Sequence, residues 1–124
     1  MQDNVKLEQE FSAMVAKLAK EGNDILKEMT PEQAHLMHMA IGVAGEAGEL
    51  LDAIKKHVIY QKPLDVDNVI EEVGDIYFYL EGIHATVNFS RRMALEKNQE
   101  KLGLRYSTGT YSNEQAKERL DKNG

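Results

Sequence analysis

Residues 41–54 read IGVAGEAGELLDAI, and residues 69–80 read VIEEVGDIYFYL. Each stretch is apolar around most of a helix, yet each carries two acids three residues apart. They are Glu46 and Glu49 in the first, and Glu72 and Asp75 in the second. Side chains at i and i+3 leave one helix face, about one turn apart. Glycines punctuate both segments: Gly42, Gly45 and Gly48, then Gly74 and Gly82. An interior glycine costs a helix about 1 kcal/mol relative to alanine, and close approach of another backbone or a ligand is the usual compensation. The 22 residues between Glu49 and Glu72 are enough to end one helix, turn and return antiparallel. Two carboxylate pairs then meet across one helix–helix contact.

Working outward, the chain reads as helices. Leu7, Phe11, Met14, Val15 and Leu18 form a helical stripe within Val5–Lys20, which Glu21-Gly22-Asn23 ends. Thr30 and Gln33 make a capping box with Pro31 at the first helical position, so a helix runs from there to about His57. Pro63 marks a break. Asp65 caps a helix that reaches nearly to Asn88, and Ser90 caps RRMALEKNQEKL, which Gly103 ends. LRYSTGTY (104–111) reads as a loop, and Ser112 with Gln115 caps a short last helix. The expectation is a single domain over 1–124, all-α, built as a small antiparallel bundle of four to five helices. The helix that holds the three glycines is expected to be largely buried.

The composition narrows the function classes. The 124 residues hold 21 acids against 15 bases, a net charge of −6. A chain of that charge lacks the cationic surface that neutralises a nucleic-acid or anionic-membrane partner. It has no cysteine, which excludes disulfides, thiolate catalysis and cysteine-ligated metals. No segment has the run of about 20 apolar residues that a membrane helix needs. The first residues carry no apolar signal core, so the cytoplasm is the expected location. The charge is also uneven: 16 of the 21 acids but only seven of the 15 bases precede residue 90. The last third is therefore basic and suited to facing an acidic site.

Four carboxylates in one apolar groove cannot all ionise unaided. All-oxygen ligation favours Mg²⁺, with Mn²⁺ as its substitute, over zinc or copper. Mg²⁺ usually shares its coordination with substrate phosphates, so the donor set points to a phosphate-bearing small molecule. A di-iron reading built on Glu32/His35 and Glu81/His84 fails on spacing. The first pair lies 14 residues, or about 21 Å, before Glu46 and Glu49 on the same helix. His35 lies roughly on the carboxylate face with Met39, Gly42 and Lys56, so His35 or His38 can lie near a base or ribose. Asn98, Lys101 and Arg105 recur at spacings of three and four, with Tyr106 adjacent, as a candidate phosphate-binding stripe. Lys56, two turns beyond Glu49, adds a further cation, with Lys55 as its alternative.

Taken together, GEAGELLDAIKK, EEVGDIYFYL and EKNQEKLGLRY followed by YSNEQAKER resemble the MazG-like all-α nucleoside triphosphate pyrophosphohydrolases over roughly residues 35–122. In RYSTGTYS the chain lacks the proline and the aromatic that family members commonly carry after the Tyr and the Gly. The resemblance implies metal-binding roles for Glu46, Glu49, Glu72 and Asp75, with Glu46 or Glu49 orienting or deprotonating the attacking water. It implies substrate contacts from Asn98, Lys101, Arg105 and Tyr106. It also implies cleavage of an NTP or dNTP to the monophosphate and pyrophosphate, as in nucleotide-pool control, with a lean to dGTP or dCTP. Related branches act as dUTPases or phosphoribosyl-ATP pyrophosphohydrolases. A homodimer or a dimer of dimers is implied, with the site completed by a second chain. The competing reading is a non-catalytic helical oligomerisation module, which explains the glycines but not the four acids.

Overall fold

The computed structural model describes residues 2–123, and seven helices with no strand among them account for the described chain. It divides into two compact units, residues 1–34 and residues 35–124. In the first lie α1 (Gln2–Leu18) and α2 (Gly22–Glu28), with the start of α3 (Pro31–Val58). Gly22 opens α2 rather than continuing a break, so the expected interruption is itself a helix of seven residues. Lys20 and Glu28 form an ion pair across it. The capping box at α3 forms as expected. Thr30 Oγ1 accepts from the Gln33 N–H at 3.1 Å, and Gln33 Oε1 accepts from the Thr30 N–H at 3.0 Å.

In the second unit α3 continues to Val58 and α4 (Val66–Val87) returns antiparallel to it. The turn needs no glycine. Gln61 takes the left-handed conformation at φ 55°, and the Lys62 N–H bonds back to the Lys56 carbonyl at 3.3 Å. His57 Nδ1 lies 2.8 Å from the Lys62 carbonyl, which pins the same turn. Asp65 caps α4 by accepting from the Asn68 N–H at 3.1 Å, and Asn88 ends it in the left-handed region. Ser90 caps α5 (Arg91–Arg105) by accepting from the Met93 N–H. That helix runs straight through Gly103, which therefore does not end it, and takes Leu104 and Arg105 out of the expected loop. Ser112 caps α6 (Asn113–Glu118), and α7 (Leu120–Asn123) follows. The five expected helices are thus present, joined by α2 and α7.

The contact between α3 and α4 rests on two reciprocal insertions. A Cβ on Gly42 would fall inside the Tyr79 ring, and a Cβ on Gly82 would meet the Met39 thioether. Each helix thus offers one large side chain and, three residues on, one glycine to receive its partner's. Gly45, Gly48 and Gly74 have nothing within 4 Å of a Cβ position, so only two of the five glycines act in this contact. Met39 and Ala53 are the buried apolar residues of the described chain. The expectation of a largely buried α3 is not met within one chain: Ile41 and Leu51 are 62% and 68% exposed.

Substitutions at the glycines should separate packing from propensity. Gly42→Ala should cost about 1–3 kcal/mol in urea denaturation, because a flat ring cannot yield to the added methyl. Gly82→Ala should cost less, since a methionine side chain can swing aside. Gly103→Ala, inside α5 with open space around it, should stabilise by about 0.5–1 kcal/mol.

Candidate functional site

The register set by these insertions carries directly into the acids. Going from Met39 to Gly42 on α3 matches going from Gly82 back to Tyr79 on α4. One further step of four residues on each helix reaches Glu46 and Asp75, and a last step of three reaches Glu49 and Glu72. The structure brings Glu46, Glu72 and Asp75 together, with one carboxylate oxygen of each within 4.8 Å of the others. Among the described residues this is the one group of three or more His, Asp or Glu side chains that converges in this way. Glu49 is exposed and lies outside the trio, but its charge acts on Glu72.

Glu72 bears the cost of the convergence. Its carboxyl is pushed up to about 7, first by a hydrogen bond to Glu46, then by burial, then by the charges of Glu46, Glu49 and Asp75. Its Oε2 is buried and meets no donor. A carboxylate oxygen accepts and cannot donate, so a proton shared between carboxyls or a cation would satisfy that oxygen. An all-carboxylate donor set of this kind fits a hard divalent cation of the Mg²⁺ or Mn²⁺ class.

Other candidate residues fall around this centre in different states. His38 meets the edge of the Tyr79 ring at 6.2 Å between centroids, which places it beside the Gly42 insertion. Lys56 pairs with Asp52 at 3.0 Å, and that hydrogen bond raises its pKa. Lys55 sits 5.5 Å from the centre of the Tyr60 ring. Because α5 reaches Arg105, Asn98, Lys101 and Arg105 do share one helix face. Asn98 and Lys101 line a shallow groove of about 440 Å³ with Phe89 and Met93. Arg105 is engaged: its Nε and Nη2 donate to the two carboxylate oxygens of Asp121 at 2.9 and 3.2 Å. The Tyr106 ring rests against Tyr111 at 5.6 Å.

Two residues of consequence escaped the sequence reading. Tyr79 was legible in principle, because Glu72, Asp75, Tyr79 and Gly82 repeat in reverse the 3-4-3 spacing of Met39, Gly42, Glu46 and Glu49. Asp121 had no local signal, being one of five acids in a basic segment and 16 residues from its partner.

The raised Glu72 carboxyl gives a signed prediction. The folded state holds this proton up to about 7, whereas the ordinary value is 4.5. The fold is therefore favoured at low pH, and that advantage is lost as pH rises from about 4.5 through 7. Thermal melts without divalent cation should show Tm falling across that window. Glu72→Gln should flatten the slope.

A model of the MazG nucleotide pyrophosphohydrolase domain matches residues 33–109, a span that holds all four acids and the α5 stripe. Neither the curated proteins nor the solved structures compared with the chain give a match. The matched span exceeds half the sequence, and it coincides with the helix pair whose acids converge. The chain belongs to the MazG nucleotide pyrophosphohydrolase domain family.

Proposed function

We propose that this chain hydrolyses the α–β anhydride of a nucleoside triphosphate, releasing the monophosphate and pyrophosphate, with a lean to dGTP or dCTP. The observation that carries the reading is the convergence of Glu46, Glu72 and Asp75, with one Glu72 oxygen buried and unsatisfied, inside the span that matches the family. MazG proteins are generally metal-dependent, and these three residues with Glu49 beside them are the ones that would hold the ion. Bound Mg²⁺ or Mn²⁺ supplies Lewis acidity and offsets the phosphate charge. Glu46 or Glu49 orients the attacking water and takes its proton. Asn98, Lys101, Arg105 and Tyr106 engage the outer phosphates or the sugar, and Lys56 adds charge from the far end of α3. His38 lies toward the base or ribose. The described residues include no helix long and apolar enough to cross a membrane, and a role in the nucleotide pool of the cytoplasm fits that.

The reading includes a second copy of the chain. On α3, Met37, Ile41 and Leu51 are exposed along a face whose small residues include Ala44 and Gly48. On α4, Ile70, Tyr77 and Phe78 are exposed as well. Helices this apolar are ordinarily covered, and a homodimer or dimer of dimers covers both while enclosing the site. Sedimentation equilibrium should give a mass at least twice that of one chain.

Pyrophosphate release should be measured across the eight common NTPs and dNTPs with Mg²⁺. Turnover of at least one is expected, and none with any of them would favour a non-catalytic module. In the active reaction, Glu49→Gln or Asp75→Asn should lower the rate by about 10²–10⁴-fold with the helical circular dichroism unchanged. Full activity in either variant would sink the assignment.

A further inference from the structure

The C-terminal segment beyond residue 109 lies outside the span that matches the family, yet it is tied tightly to the end of α5. The Gln115 side-chain amide donates to Ser107 Oγ at 3.0 Å, and Ser112 caps α6. Between α6 and α7, Arg119 takes the left-handed conformation at φ 49° without being a glycine. That conformation is unfavourable for a residue other than glycine. It turns the chain so that Asp121 reaches Arg105. The ion pair is two-pronged, with side chains only 17% and 2% exposed. Arg105 holds the Asp121 carboxyl below its ordinary range, with a further contribution from Lys101.

The geometry of the pair decides what Arg105 has left. A guanidinium carries five N–H donors in a planar fork. Asp121 takes the Nε–H and one Nη2–H. Three donors remain: the Tyr106 hydroxyl also interacts with the guanidinium, and the Nη1–Nη2 edge, with one N–H from each nitrogen, faces away from Asp121. A flexible arginine at a helix end pays side-chain entropy each time it meets a ligand, whereas one already clamped does not. Lys101 and Asn98 lie one and two turns back on the same face of α5, and the groove beside Lys101 is also lined by Asp121 and Lys122.

We propose that Asp121 is a positioning residue: it clamps the inner edge of the Arg105 guanidinium and leaves the outer edge to grip a substrate phosphate. This rests on the reading of Arg105 as a phosphate ligand. It makes the C-terminal helix, which the family match does not reach, part of the substrate site of this chain.

The test uses the full-length protein and inorganic pyrophosphate as probe, with binding followed by calorimetry at saturating Mn²⁺. Asp121→Asn should weaken pyrophosphate binding about tenfold, because the charge-assisted clamp becomes a neutral one. Mn²⁺ affinity measured alone should stay unchanged. Asp121→Glu, which keeps the carboxylate, should recover part of the loss. Arg105→Lys should weaken binding about as much, and adding Asp121→Asn to it should weaken binding little further, since the fork is already gone. Pyrophosphate binding in Asp121→Asn equal to the parent overturns the proposal alone. So does an equal loss of Mn²⁺ affinity, which marks a purely structural pair. Tighter binding in Asp121→Asn also overturns it, and makes the carboxylate a competitor of phosphate. A parent protein that binds no pyrophosphate at all overturns this assignment together with the phosphate reading beneath it.

Discussion

Everything at the acidic centre depends on two side chains seated in two glycine notches. Tyr79 over Gly42 and Met39 over Gly82 fix how far α3 slides along α4. A slip of one residue would rotate Glu46 by about 100° away from its partners. The glycines are unfavourable for their helices taken singly, but without them the rings and thioether would hold the two helices apart. Packing and chemistry are thus one problem here, since the residues that set the register lie on the same 3-4-3 stripe as the acids.

The acids oppose the fold that holds them. Three carboxyls within reach of one another repel, and burial leaves one Glu72 oxygen without a donor. A sequence selected only for stability would place an apolar or a paired residue there. The interlock supplies a rigid frame that tolerates the repulsion, and the local rule is broken where a cation would repair it. The Arg105–Asp121 pair shows the contrary arrangement. There the buried charges are matched one to one, and each Asp121 oxygen accepts from its own guanidinium nitrogen.

Much of this was legible in the sequence because the decisive signals are local. The caps at Thr30, Asp65, Ser90 and Ser112 each form with a backbone N–H three residues on, so type and spacing suffice. The all-helical class, the two long helices and the acid pairs follow from periodicity. What failed to show needed tertiary information. Five glycines looked alike, yet only Gly42 and Gly82 receive a side chain. Gly103 looked like a stop, but the helix passes through it because the Tyr106 N–H bonds to the Leu102 carbonyl and carries the last turn on. Gln61 turns left-handed in a place where a glycine would have advertised the turn. Glu49 stands apart from the trio, which spacing alone could not reveal. Asp121 finds its partner across 16 residues, a distance no motif spans.

The proton that Glu72 keeps to about pH 7 also sets the terms on which a cation can enter. Near neutrality the centre would behave as a weak-acid ion exchanger: a dication bound there would displace a proton into solution. Occupancy would then rise with pH as well as with cation concentration. Two helices and a pair of notches thereby link the local acidity to the readiness of the site.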